Sequence, residues 1–194
     1  MHSTQLPILR FLYLTALLAA LALVAPSGAR ADDLVLQSKL CTVHYNDPDQ
    51  LEKFAGKIRP SLVTRTLNQV LVASGGGHQS QPEFGEFLDE LFKRVQLILD
   101  MPMPKLRVEI QLHKNVKEVL AAYAELTGGP GDAPAFYWKK SNTIHIQAER
   151  LTIGMLAHEM GHAVLDHYFA IQPPVKIAEM LCQYVDKEVT AANF

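Results

Sequence analysis

Leu151-Thr152-Ile153-Gly154-Met155-Leu156-Ala157-His158-Glu159-Met160-Gly161-His162-Ala163-Val164-Leu165 is the stretch on which the reading of this chain turns. The run before His158 is mostly apolar and fits a buried helix, which Ala163, Val164 and Leu165 continue. Gln172-Pro173-Pro174 stops it, because proline cannot continue a helix interior. The pattern predicts a helix over about 151–169. His158 and His162 then stand at i and i+4 on one face, so both imidazoles can reach one metal ion. Glu159 projects near the open side of that ion, where a bound water would sit. The bland alternative is two histidines on a solvated helix face; the apolar helical context argues against it.

A catalytic zinc takes three protein ligands and keeps one position open. Downstream of the histidines stand Asp166, His167, Glu179, Asp186 and Glu188. No glycine follows His162 before the prolines to turn the chain, so His167 falls on another face of the helix. If the chain folds back near residue 171, two helices run antiparallel. At 1.5 Å per residue, His162 and Glu179 then lie level to within roughly 3 Å along the axis. By the same count Asp186 is level with His158, and Gln183 falls between the two histidines. Residues 179, 183 and 186 share one helix face. Glu179 is the expected third ligand. Gln183 and Asp186 are expected to accept the other ring N–H groups and orient the imidazoles. The alternative for Glu179 is an ordinary solvated helix residue.

The start of the chain reads as a targeting segment. Phe11 to Ala25 is apolar apart from Thr15, and Ala29-Arg30-Ala31 is an A-x-A cleavage signature. The apolar run is short for a membrane span. We expect residues 1–31 to be a signal peptide, with a retained N-terminal anchor as the alternative. Residues 32–194 then form one domain, exported to the periplasm or secreted, with no stable membrane span after cleavage. The whole chain has 18 basic and 20 acidic side chains. Without Arg10 and Arg30, 16 basic side chains remain against the same 20, a net charge near −4. No basic stripe argues for nucleic acid. Export makes a bridge between Cys41 and Cys182 chemically feasible; two buried free thiols are the alternative.

The rest of the chain alternates helical and extended patterns. Leu34 to Tyr45 reads as a strand, Asp49 to Ile58 as a helix behind Asn46-Asp47-Pro48, and Ser61 to Ala73 as a second helix. Ser74 to Pro82 reads as a loop. Phe84, Phe87, Leu88, Leu91, Phe92, Val95 and Leu99 give a core-facing helix over 83–99. Leu106, Val108, Ile110 and Leu112 alternate as a strand, and Asn115 to Leu126 is a helix closed by Gly128. Ala135–Trp138 and Thr143–Gln147 read as two short strands, and Pro174 to about Val189 as the last helix.

These residues resemble the gluzincin clan of zinc peptidases, particularly the small peptidase-MA-like domains. There H-E-x-x-H is followed by a proline-led helix with a pattern like P-x-W-x-x-E-G-L-A-E-Y. Pro174 to Tyr184 occupies that place, with Glu179, Leu181 and Tyr184 matching. Lys176, Met180, Cys182 and Gln183 depart from it. The resemblance is specific over about residues 105–190 and holds over 34–100 in outline. It implies an α+β fold with a zincin-like core: a small mixed sheet packed on the H-E-x-x-H helix and on a following helix that carries the third ligand. It also implies that the strand nearest the site binds an extended peptide by edge pairing. Ile144-His145-Ile146 is one candidate for that edge; a core strand with His145 facing water is the other.

The expected function is an exported metallopeptidase. One Zn2+ per chain, held by His158, His162 and Glu179, polarises water and the scissile carbonyl, and Glu159 acts as general base. Its partner is a peptide or protein substrate. Tyr137, His167, Tyr168 and Tyr184 are the available types for an oxyanion donor. Two alternatives stand beside this reading. One is a zinc-binding domain of weak or lost activity that binds proteins or peptides; the other is a structural domain without metal.

Overall fold

The computed structural model describes residues 34–59 and 80–192. Residues 1–31, expected to be a signal peptide, and the helix expected over 61–73 lie outside the described residues. The fold is α+β, with a five-stranded mixed sheet and five helices among the described residues.

Leu34 to Tyr45 forms two strands rather than one. β1 (Leu34–Gln37) and β2 (Cys41–Tyr45) make an antiparallel hairpin. The cause of the break lies far along the chain. The buried carboxylate of Asp89 accepts from Ser38 Oγ at 2.6 Å, Leu40 N at 2.8 Å and Lys39 N at 3.1 Å. Those bonds satisfy a turn that local alternation does not reveal. α1 (Pro48–Ile58) starts where Asp47 caps the Asp49 N–H and Pro48 fits the first turn. It buries Leu51, Phe54 and Ile58. α2 (Ser80–Ile98) begins a few residues before the expected position, inside the stretch read as a loop. Its apolar positions Phe84, Phe87, Leu88, Leu91, Phe92 and Val95 are all buried. Phe54 and Phe84 meet edge to face at 5.5 Å, tying α1 to α2.

β3 (Val108–His113) pairs parallel with β2, and α3 (Val116–Thr127) follows it. Asn115 caps Glu118 N, while Glu118 reaches back to Lys114 N, so both ends of the first turn are satisfied. Gly128 ends the helix at φ 77°, a left-handed conformation that glycine adopts without strain. β4 (Ala135–Trp138) and β5 (Thr143–Gln147) form an antiparallel hairpin, and β5 pairs parallel with β3. The sheet order is β1-β2-β3-β5-β4, so β4 is an edge strand and β5 is interior. Ile144-His145-Ile146 is therefore not the free edge.

One sheet face supplies Val43, Val108, Ile110, Leu112, Ile144 and Ile146 to the main core. The opposite face is polar and half-buried. There His44 Nε2 lies 2.7 Å from Glu109 Oε2, and α3 brings Tyr123 edge-on to Phe136 at 5.1 Å. Completing the core are α4 (Ile153–Tyr168) and α5 (Val175–Ala191), in the expected helix-turn-helix order. No described helix is long and apolar enough to cross a membrane. Cys41 and Cys182 are both free and buried. Cys41 Sγ faces the Leu88 carbonyl of α2 at 3.7 Å, whereas Cys182 packs on Gly161 of α4. The bridge between them is not formed, because the two thiols face different neighbours within the core.

Candidate metal centre

α4 is set by its cap and by glycine. Thr152 Oγ1 accepts from Met155 N at 3.1 Å and fixes where the helix begins. Gly154 and Gly161, two helical turns apart, lie toward α5. A Cβ on Gly161 would come 3.0 Å from Cys182 Sγ, and one on Gly154 only 1.8 Å from Asp186 Oδ1. The bare backbone at these two positions lets the helices approach closely, which brings a carboxylate on α5 to imidazoles on α4.

The three expected ligands converge. His158 Nε2 and His162 Nε2 are 3.2 Å apart. Glu179 Oε1 lies 3.3 Å from His162 Nε2, and Oε2 lies 3.5 Å from His158 Nε2. A tetrahedral ion with bonds of about 2.0–2.1 Å holds its donor atoms about 3.3 Å from one another. The two nitrogens stand near that separation, and the Glu179 carboxylate comes close to it with a different oxygen toward each ring. Burial holds the His162 ring below its ordinary pKa, and the His158 imidazole adds to this while the Glu179 carboxylate opposes it. A ring kept neutral is ready to ligate.

Cys182 is a neighbour that the spacing of the histidines does not reveal. Its Sγ falls within 4.8 Å of the ligating nitrogens. Glu179 is the better third ligand. Its oxygens lie 3.3 and 3.5 Å from the imidazole nitrogens and its side chain lines the cleft, which Cys182 does not. Burial pushes the Cys182 thiol well above its ordinary range, reinforced by Glu159 and Glu179. The sequence signal for its proximity is position: one turn beyond Glu179 on the same helix.

Glu159 is buried at the back of the same cleft. Desolvation raises its pKa to about 7; the Tyr137 backbone N–H donates to it and opposes the rise, while Glu179 adds to it. A carboxyl poised there can take and return a proton near neutral pH.

Two expected supporting residues stand elsewhere. Asp186 lies against Gly154, one turn before His158, and accepts from Thr190 Oγ1 at 3.2 Å. Gln183 is exposed and is not part of the cleft lining that contains His158 and His162. Counting rise along two straight, evenly turned helices misses the register that the glycine contacts impose. Of the aromatic and imidazole candidates for an oxyanion donor, Tyr137 alone lines the cleft among the described residues. Its hydroxyl lies 3.0 Å from Asn142 Oδ1 and 3.3 Å from Asp166 Oδ2. His167 turns its Nδ1 to the Ala163 carbonyl at 2.9 Å, and Tyr168 and Tyr184 are about half exposed away from the cleft.

The cleft has a volume of about 520 Å3. The face of α4 that carries His158 and His162 lines the cleft, together with Glu179, Pro173 and Val175 and edge strand β4. No protein-family model matches this chain, and no match is found among curated proteins or solved structures. The reading of the site therefore rests on its own chemistry.

Proposed function

We propose that this chain is an exported zinc-dependent peptidase of gluzincin type, with a zincin-like core and Zn2+ held by His158, His162 and Glu179. The observation that carries the proposal is the convergence of two imidazoles and one carboxylate at 3.2 to 3.5 Å on the wall of an open cleft. Export is supported by the apolar segment and A-x-A signature at the N-terminus. Zinc bound there supplies a Lewis acid and lowers the pKa of water.

The chain's own residues do the rest. Glu159 accepts the proton of the attacking water and delivers it to the departing amine, a cycle suited to a carboxyl with pKa about 7. The Tyr137 N–H keeps that carboxylate oriented. An extended peptide is received along β4, whose outer edge has no strand neighbour among the described residues and lies across the cleft from the histidines. A second reading, a zinc-binding module of weak or lost activity that binds peptides, is favoured by one observation. The phenol in the cleft already faces Asn142 and Asp166, so Tyr137 does not stand free as an oxyanion donor.

Metal analysis of the purified protein tests the site. One zinc per chain is expected, lost in His158→Ala and Glu179→Ala. Glu159→Gln should keep the metal and lose peptide hydrolysis. Hydrolysis that survives Glu159→Gln would sink the general-base role, and a wild-type protein without zinc would sink the proposal. A wild-type protein that holds zinc and cleaves nothing favours the binding module.

A further inference from the structure

Among the described residues, β4 is held to the sheet on one side only, by β5. A four-residue edge strand with one neighbour is weakly constrained, yet its spacing from α4 sets the width of the cleft. Asp166 spans that gap. It stands four residues after His162, on the same face of α4 and one turn further along. Its carboxylate receives two groups from β4 and the turn behind it: Tyr137 Oη at 3.3 Å and Lys139 Nζ at 3.2 Å. The Asp166 carboxylate is the less exposed partner of the ion pair, its side chain 19% accessible against 62% for Lys139. Partial burial strengthens such a pair relative to one in open solvent. Asn142, in a left-handed conformation at φ 52°, places its Oδ1 3.0 Å from the same hydroxyl, so the one phenolic proton is shared between Asn142 and Asp166, and the Lys139 ion pair is the second tie on Asp166. Behind Asp166, Gln172 Nε2 donates to both the Asp166 and Phe169 carbonyls at 3.0 Å, closing the end of the helix.

Tyr137 therefore meets α4 twice. Its backbone N–H donates to Glu159, and its hydroxyl reaches Asp166. We infer that Asp166 is a positioning residue: through Tyr137 and Lys139 it fixes the edge of β4 at a set distance from the metal-binding face of α4, so that an extended peptide on that edge meets the metal centre. The role in peptide placement rests on the proposed peptidase reading; the clamp on the strand does not. The positioning acts on substrates long enough to pair with β4. A dipeptide, which cannot follow the strand, is indifferent to it.

Two measurements on the full chain test this. The first is amide hydrogen exchange in Asp166→Ala and Asp166→Asn. The alanine variant should speed exchange of the Tyr137 amide by about tenfold relative to wild type, with β3 unchanged. The asparagine variant, whose side-chain oxygen still accepts from Tyr137, should recover most of the protection. The second is a KM comparison between a quenched fluorogenic nonapeptide and a furylacryloyl dipeptide. Asp166→Ala should raise the nonapeptide KM about tenfold relative to the dipeptide KM. Unchanged exchange at Tyr137 overturns the inference. Faster exchange with both KM values moving in parallel also overturns it, leaving Asp166 a support of the fold alone. If wild type cleaves neither substrate, the peptidase reading and the placement role fail together, while exchange still decides the clamp.

Discussion

The molecule holds two pairs of histidines with nearly the same separation and opposite surroundings. On α4, His158 Nε2 and His162 Nε2 are 3.2 Å apart. On the polar face of the sheet, His113 Nε2 and His145 Nδ1 are 3.0 Å apart. The helical pair has a carboxylate within 3.5 Å of each ring and opens into a cleft. Among the described residues the sheet pair has no carboxylate at that distance. His145 stacks on Phe136 at 4.7 Å and on His113 at 5.3 Å, so its ring is a slab in an aromatic pile that ends on Tyr123. Proximity of imidazoles does not make a metal site. A third, anionic donor and an open coordination side are also needed, and α5 places a carboxylate beside one pair only.

The largest effect expected of this contrast is on catalysis. Glu159→Gln should lower kcat by about a thousandfold or more with zinc retained, whereas His145→Gln should leave kcat within about threefold. Steady-state hydrolysis paired with zinc analysis checks both. Next in size is metal affinity. His158→Ala, His162→Ala and Glu179→Ala should each lose stoichiometric zinc under dialysis against a mild chelator, and His113→Ala should not. Zinc lost equally from the His113 variant would erase the distinction between the pairs. Cys182→Ser should also keep its zinc; loss there would move the third ligand from Glu179 to Cys182.

The helix contact behind the site comes next. Gly154→Ala drives a methyl into Asp186, and overpacking of this kind costs about 1–3 kcal/mol, of which better helix propensity returns up to about 1. The net loss should appear in denaturant unfolding. Adding Asp186→Ala should recover part of it, since the double variant removes the nearer clash and leaves the Thr190 hydroxyl at 2.6 Å.

The smallest expected effect is pH-dependent stability of the sheet pair. Burial, with His113 adding, depresses the His145 pKa to about 4, and burial lowers His113 with Glu118 opposing. Between about pH 6.5 and 4 the unfolded chain binds protons that the folded chain refuses, so this pair's contribution is lost as pH falls through that window. The loss is on the order of 1–2 kcal/mol once solvent screening of half-buried rings is allowed for. Glu159 acts in the opposite sense. Its folded pKa of about 7 exceeds the ordinary 4.5, so its contribution falls as pH rises between those values. Subtracting the unfolding profile of His145→Gln from that of wild type isolates the histidine part. A flat difference from pH 4 to 6.5 would remove the sheet pair as a titrating element.

Much of the fold was legible because its signals are local. Asp47-Pro48, Asn115 with Glu118, Thr152 and Gly128 mark helix ends by chemistry that acts within one turn. The alternation of Val108, Ile110 and Leu112 marked β3 for the same reason. The β1–β2 break was not legible, because the Asp89 carboxylate that stabilises it comes from 49 to 51 residues away. The edge position of β4 was not legible either, since strand order is a property of the assembled sheet.

For the site, the chain alone determined which residues could share a helix face and which chemistry they carry. His158, Glu159 and His162 followed from helical period, and Glu179 from the proline-bounded turn between two helices. Tertiary structure decided the rest. The approach of α5 to α4 at Gly154 and Gly161 moved Asp186 a turn away from the histidines and left Gln183 exposed. The same approach brought Cys182 beside the ligands and kept it from Cys41. The assembled sheet placed Tyr137 between Glu159 and Asp166. Period and capping are written in near neighbours along the chain. Register between helices and the identity of an edge depend on packing across the core, where residues distant in sequence decide which contacts can close.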